Sequence, residues 1–317
     1  MNNINLIRNN TYPSDVIFID GHCSSGKIIL SRLLECYKGV EKSKEDYSFY
    51  YILSLYRLGK ISEDVAITLL KSETDRRLYE LYIGRDINFR LTDGTSFTKY
   101  PYPLDYIKRI FRGEREKINE EIINNKPIFQ NMKANALTDI NILLKSFDKR
   151  LKLIYIKRNP LDVINAIYKR GFGDRIGVDP STIELTYDWK GYTIPIYAID
   201  WEVDYLKMKP IDRVVKMVYN LEKSDMQAYN NLNNKDKQKV YFIDFDSFIT
   251  NPYPICNELE KFIGRDIHKR YKRILKKEKC PRNIDSSERS NIRNNIRNIA
   301  SENSIELIKE MENDYRY

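Results

Sequence analysis

The chain has 317 residues, enough to bury a full-sized core in one large domain or two small ones. Its 54 Lys and Arg against 45 Asp and Glu leave a diluted +9, which suits small anionic ligands, or a polyanion on one face, and speaks against a nucleic-acid binder. No apolar run nears the roughly 18 residues of a spanning helix, no basic-apolar leader opens the chain, and four Cys and two His without ligand spacing exclude a His-rich metal site and suggest free thiols in a cytoplasmic setting.

Residues 15–20 (DVIFID) form a short apolar, β-branched run, the pattern of a buried strand. A turn from Gly21 to Gly26 follows, and Ile28, Ile29, Leu30, Leu33 and Leu34 then recur at helical spacing. Residues 47–83 carry Tyr and Leu at helical spacing, broken near Gly59 and Gly84. A turn is predicted at 93–96, a helix from about 103 to 112, and another over 115–125, before Lys126 and Pro127. The second strand is 151–156 (LKLIYI), ending at Arg158-Asn159-Pro160 with a helix behind it. Segment 171–212, rich in Pro, Tyr and Trp, has no clear period and is expected to be an irregular insertion. The third strand is 240–244 (VYFID), followed by a helix that stops at Gly264. Strands alternating with helices predict a three-layer α/β fold, a central parallel sheet flanked by helices. The expectation is a single domain over 1–317, with a helical insertion over 45–125.

Gly21-His22-Cys23-Ser24-Ser25-Gly26-Lys27 fits the G-x-x-x-x-G-K pattern between a predicted strand and a predicted helix. Small residues let successive backbone N–H groups converge on phosphate oxygens, and the helix start adds partial positive charge. Lys27 is placed to reach the transferable group. A Mg²⁺-dependent phosphoryl transferase needs Ser or Thr next; Ile28 offers no ligand atom.

Three segments in order carry a family resemblance. Residues 19–34 (IDGHCSSGKIILSRLL) resemble the 5′-phosphosulfate loop of the sulfotransferases, 151–168 (LKLIYIKRNPLDVINAIY) the 3′-phosphate segment, and 240–264 (VYFIDFDSFITNPYPICNELEKFIG) the later strand, acidic turn and helix. The resemblance implies a sulfotransferase fold that takes a sulfuryl group from 3′-phosphoadenylyl sulfate, releases adenosine 3′,5′-bisphosphate, and needs no metal. The implied acceptor is a hydroxyl or amine on a glycan or small molecule. Carried onto this chain, Ser24, Ser25, Gly26, Lys27 and Ile28 surround the 5′-phosphate, with Ser24 in place of a family Arg or Lys. Arg158 clamps the 3′-phosphate, Ala166 stands where the family has a Ser, and Arg289 lies in a late basic stretch. The family's Lys-x-His is matched by Lys133-Ala134-Asn135, and Asn takes no proton. Other branches of the family use a Glu beyond the first helix, which the resemblance places at Glu45, with Glu41 and Asp46 nearby; His22 inside the loop is the other candidate base. Two other readings stay open: a P-loop small-molecule kinase, and a non-catalytic nucleotide-binding descendant of the same fold.

Overall fold

A computed structural model describes residues 4–43, 46–113, 115–133 and 135–316. Strands β1 (Val16–Asp20), β2 (Phe129–Met132), β3 (Leu151–Lys157) and β6 (Val240–Asp244) form a parallel sheet in the order β2-β1-β3-β6. Val16 faces Phe129 on one side and Leu151 on the other, so β1 is interior to the sheet. Two further strands, β4 (Thr186–Trp189) and β5 (Tyr192–Pro195), pair as an antiparallel hairpin.

Both faces of the sheet are covered, so Val16, Ile17, Phe18 and Ile19 are all fully buried. Ile17, Ile19, Ile154, Ile156 and Ile243 pack on Leu30, Leu33 and Leu34 of the helix Lys27–Leu34 and on Leu259 and Ile263 of the helix Pro252–Ile263. Val16, Phe18, Phe129, Leu151, Leu153 and Tyr155 face the helices Ser48–Arg57, Glu63–Tyr82 and Ile140–Phe147 through Phe49, Leu53, Leu70, Leu143 and Phe147. A further cluster joins the helix Pro160–Lys169 to Pro210–Asn230, Ser286–Ile299 and Glu302–Arg316 through Val163, Ile167, Val214, Val218, Ile296 and Met311.

The three predicted strands fall where expected; β2 is additional, as its polar Gln130 and Asn131 hide it. Segment 45–125 includes the helices Pro103–Arg109 and Arg115–Asn125, besides the two noted above. It is tied back by the bidentate pair of Arg109 and buried Glu41, with the guanidinium 4.6 Å from the Tyr82 ring centroid and 4.5 Å from that of Tyr106. Segment 171–212 is more regular than its composition suggests. The β4–β5 hairpin and the helix Glu202–Lys207 bury Ile194, Ala198, Trp201 and Tyr205 in a small core of their own. Trp201 therefore packs internally, while Tyr192 of the same stretch is 55% exposed. Among the described residues, no helix is long and apolar enough to cross a membrane.

Candidate functional site

The glycine loop leaves the C-terminal end of β1, the edge where open parallel sheets hold their ligands. Gly21 has φ 121°, and a Cβ there would lie 2.4 Å from the Ile156 carbonyl oxygen on β3. Gly26 has φ 105°, and its Cβ would meet Phe245 at 2.3 Å. Only glycine fits either position. The helix beginning at Lys27 has no side-chain cap and no acid in its first turn. Its partial positive end is therefore left to an anion.

Arg158 follows β3 and donates from Nη1 to the Ser24 carbonyl at 2.6 Å. Its guanidinium lies over the Phe245 ring, 4.7 Å from the centroid. Phe245 thus supports both the loop, through Gly26, and the arginine. Two buried polar atoms here lack a hydrogen-bond partner among the described residues: Ser25 Oγ and Arg158 Nε.

Beyond Arg158 opens a cleft of about 210 Å³ lined by Arg158, Asn165, Ala166, Arg282 and Arg289, with Asp162 and Asp246 among its acids. Arg289 donates to Asp162 at 2.8 Å and to Asp246 at 2.7 Å. Asp162 Oδ2 also lies 3.7 Å from Arg158 Nε. Ala166 presents a methyl group where a hydroxyl is expected, and Asn165 beside it brings an amide to the same wall.

Lys27 does not extend outward. Its ammonium donates to the carbonyls of Gly21 and of His22, the latter at 2.9 Å, and burial holds it below the usual lysine range against the pull of Asp20. His22 is 8% exposed, and its Nε2 has no partner among the described residues. Burial, then the charge of Lys27, push its imidazole down to about 3, so the ring is neutral at pH 7. Ile28 is 48% exposed. Glu45 lies outside the described residues; its neighbours Glu41 and Asp46 are held by Arg109 and Arg77.

A buried polar cluster under the loop escapes sequence reasoning. Asp20 and Asp225 are almost fully buried, as is Lys133, which faces Asp139 at 3.4 Å. Asp20 closes β1, whereas Asp225 sits inside the helix Pro210–Asn230 with no local pattern to mark it. Among the described residues, no group of three or more His, Cys, Asp or Glu is placed to hold a metal ion.

A parallel sheet flanked by helices, with a glycine loop running into an uncapped helix and an arginine from the next strand anchored on that loop, defines a three-layer α/β protein. Residues 130–316, more than half of the chain, match the family model described as the sulfotransferase domain, and the chain belongs to that family. Solved structures of similar fold include the sulfotransferase domain from the curacin biosynthetic pathway, with 12% identity over 82% of this chain and 77% of that one and a TM-score of 0.46. The sulfotransferase domain of the Synechococcus PCC 7002 olefin synthase shows 12% identity over 83% and 78%, with a TM-score of 0.44. A sulfotransferase from Alicyclobacillus acidocaldarius shows 11% identity over 95% and 98%, with a TM-score of 0.39. A search of curated proteins finds no match.

Proposed function

We propose that the chain transfers the sulfuryl group of 3′-phosphoadenylyl sulfate to a hydroxyl or amine of a glycan or small-molecule acceptor. One observation carries the reading. The Arg158 guanidinium, on the wall of the arginine cleft, is anchored to the Ser24 carbonyl, which ties that cleft to the loop running into the uncapped helix start. A donor with phosphates on both sides of its ribose needs such a pair at fixed separation.

The residues present fit that donor. Ser25 Oγ has no hydrogen-bond partner among the described residues, Arg158 Nε has only its 3.7 Å ion pair with Asp162, and the two glycines leave the loop backbone open to close approach. The donor, once bound, supplies an activated sulfuryl group on a phosphate leaving group. Backbone N–H groups over Ser25–Ile28 hold the 5′-phosphate, with Ser24 shaping the turn. Arg158 and Arg289 meet the 3′-phosphate, with Asn165 the polar group nearest the position of Ala166. Lys27 holds its charge on the inner side of the loop, where it offsets negative charge developing on the phosphate. Ile28 in place of a Mg²⁺-binding hydroxyl suits a transfer that uses no metal. Glu45, at the distance beyond the first helix where other branches of the family carry a Glu, is the base we assign; its neighbours Glu41 and Asp46 each hold an arginine. Helices of segment 45–125 and the hairpin face of 171–212 form the acceptor side in this reading.

Thermal shift separates this reading from its rivals. Adenosine 3′,5′-bisphosphate without Mg²⁺ should raise the Tm, because a ligand that binds only the native state stabilises it. A rise with ATP only when Mg²⁺ is present points to a kinase. No response to either nucleotide points to a non-catalytic descendant.

A further inference from the structure

Two carboxyls lie beneath the glycine loop on consecutive backbone amides. Asp20 Oδ1 accepts the Gly21 N–H at 2.7 Å, and its Oδ2 accepts the Leu137 N–H at 2.6 Å. Asp225 Oδ1 accepts the next amide, Thr138 N–H, at 2.9 Å and the Thr138 hydroxyl at 2.6 Å. Its Oδ2 lies 3.1 Å from the Tyr155 hydroxyl. The turn that carries these amides follows β2. It includes Asn135, at φ 66°, in the position where the family resemblance expects a base. A single carboxyl therefore joins the first residue of the donor loop to the turn on the acceptor side.

We propose that Asp20 and Asp225 are positioning residues for sulfuryl transfer: Asp20 clamps the 135–138 turn to the donor loop, and Asp225 locks that turn to the helix Pro210–Asn230. The proposal rests on the sulfotransferase reading above. Both Asp20 oxygens accept amides, and burial raises its carboxyl above the usual range against the opposing charges of Lys27 and Lys133. Asp225 Oδ2 accepts the Tyr155 hydroxyl of β3, so this carboxyl takes donors from the turn and from the sheet at once. Burial, then the charge of Asp20, raise Asp225 above the usual carboxylate range. The other groups around the pair are Tyr155 on β3, Glu222 along the same helix as Asp225, Cys23 and neutral His22 in the loop, and Asp139 and Arg57 behind Lys133.

Asp225→Ala and Asp20→Asn are compared with the full wild-type chain in three measurements. These are calorimetry with adenosine 3′,5′-bisphosphate, amide hydrogen exchange at Leu137 and Thr138, and bisphosphate release with p-nitrophenol as acceptor. Asp225→Ala removes the acceptor of Thr138 and Tyr155, so it should keep bisphosphate affinity, speed exchange at Thr138 about tenfold and lower kcat at unchanged donor KM. Asp20→Asn cannot accept both amides. It should keep bisphosphate affinity, speed exchange at Leu137 about tenfold, and lower kcat about tenfold at unchanged donor KM, the worth of one charged hydrogen bond. Unchanged exchange or kcat in Asp20→Asn overturns the clamp. Unchanged exchange at Thr138 or unchanged kcat in Asp225→Ala overturns the lock, and each variant decides its own half where the other does not fold. A wild type that binds no bisphosphate refutes the donor assignment instead, and the exchange results still judge the pair.

Discussion

Gly26→Ala perturbs the point where loop, ring and arginine meet. The added methyl group must tolerate φ 105° and lie 2.3 Å from Phe245 Cε2 and 2.6 Å from Cδ2. The backbone conformation alone costs an L-residue about 1–2 kcal/mol. Overpacking against a nearly buried ring adds about 1–3 kcal/mol. The sum, about 2–5 kcal/mol, corresponds to a fall in Tm of roughly 3–8 °C for a chain of this length. The displaced ring also carries Arg158, so bisphosphate affinity should drop in the folded variant. Calorimetric melting and bisphosphate titration read the two effects. A double-mutant cycle with Phe245→Leu isolates the contact. The double variant should be more stable than the sum of the single losses predicts by about 1–3 kcal/mol, because the smaller side chain relieves the overlap but not the backbone strain. Simple additivity, or a Gly26→Ala Tm equal to wild type, would refute the reasoning.

Three further outcomes follow from the same geometry. Arg158→Ala should weaken adenosine 3′,5′-bisphosphate binding by about 1.5–3 kcal/mol in titration calorimetry, the range of a charged hydrogen-bonded contact; unchanged affinity removes Arg158 from the donor site. His22 is held neutral down to about 3 in the folded chain and titrates near 6.5 when unfolded, so the unfolded state alone takes up the proton between these values. Stability should therefore fall as pH drops below about 6.5, with His22 contributing about 2–3 kcal/mol between pH 7 and 4.5; denaturant melts of His22→Gln should show a shallower pH slope, and equal slopes would contradict the buried neutral ring. Glu41→Ala leaves the buried Arg109 without its partner and should cost about 3–5 kcal/mol, while a Glu41→Leu/Arg109→Met double variant should recover much of it in the same melts.

How far the sequence alone reaches depends on how local each signal is. β1, β3 and β6 are apolar runs bounded by turn residues, and the loop and Arg158 each adjoin one of them. β2 lacks that signature because Gln130 turns inward, where its amide donates to the Glu41 carbonyl at 2.8 Å, a partner 89 positions away. The β4–β5 hairpin was legible in principle: Lys190 and Gly191, at φ 53° and 84°, form the two-residue turn with both residues left-handed that hairpins favour. Weak alternation in its aromatic strands concealed it. Asp225 could not be found from pattern at all. Its meaning comes from Thr138 and Tyr155, which only the folded chain brings within reach.

The place of β1 between β2 and β3 bears on how this chain can be cut. The family match begins at residue 130, within β2, and so omits β1 together with the loop it launches. A fragment excised at that boundary would keep the β3–β6 pair and a remnant of β2, with nothing between them and the β1-facing edge of β3 left open. Unpaired parallel edges of this kind invite association with other chains. The boundary of recognisable similarity is thus not a boundary of independent folding. In synthesis from the N-terminus, the first strand made must wait through a hundred residues of helix before either of its neighbours exists.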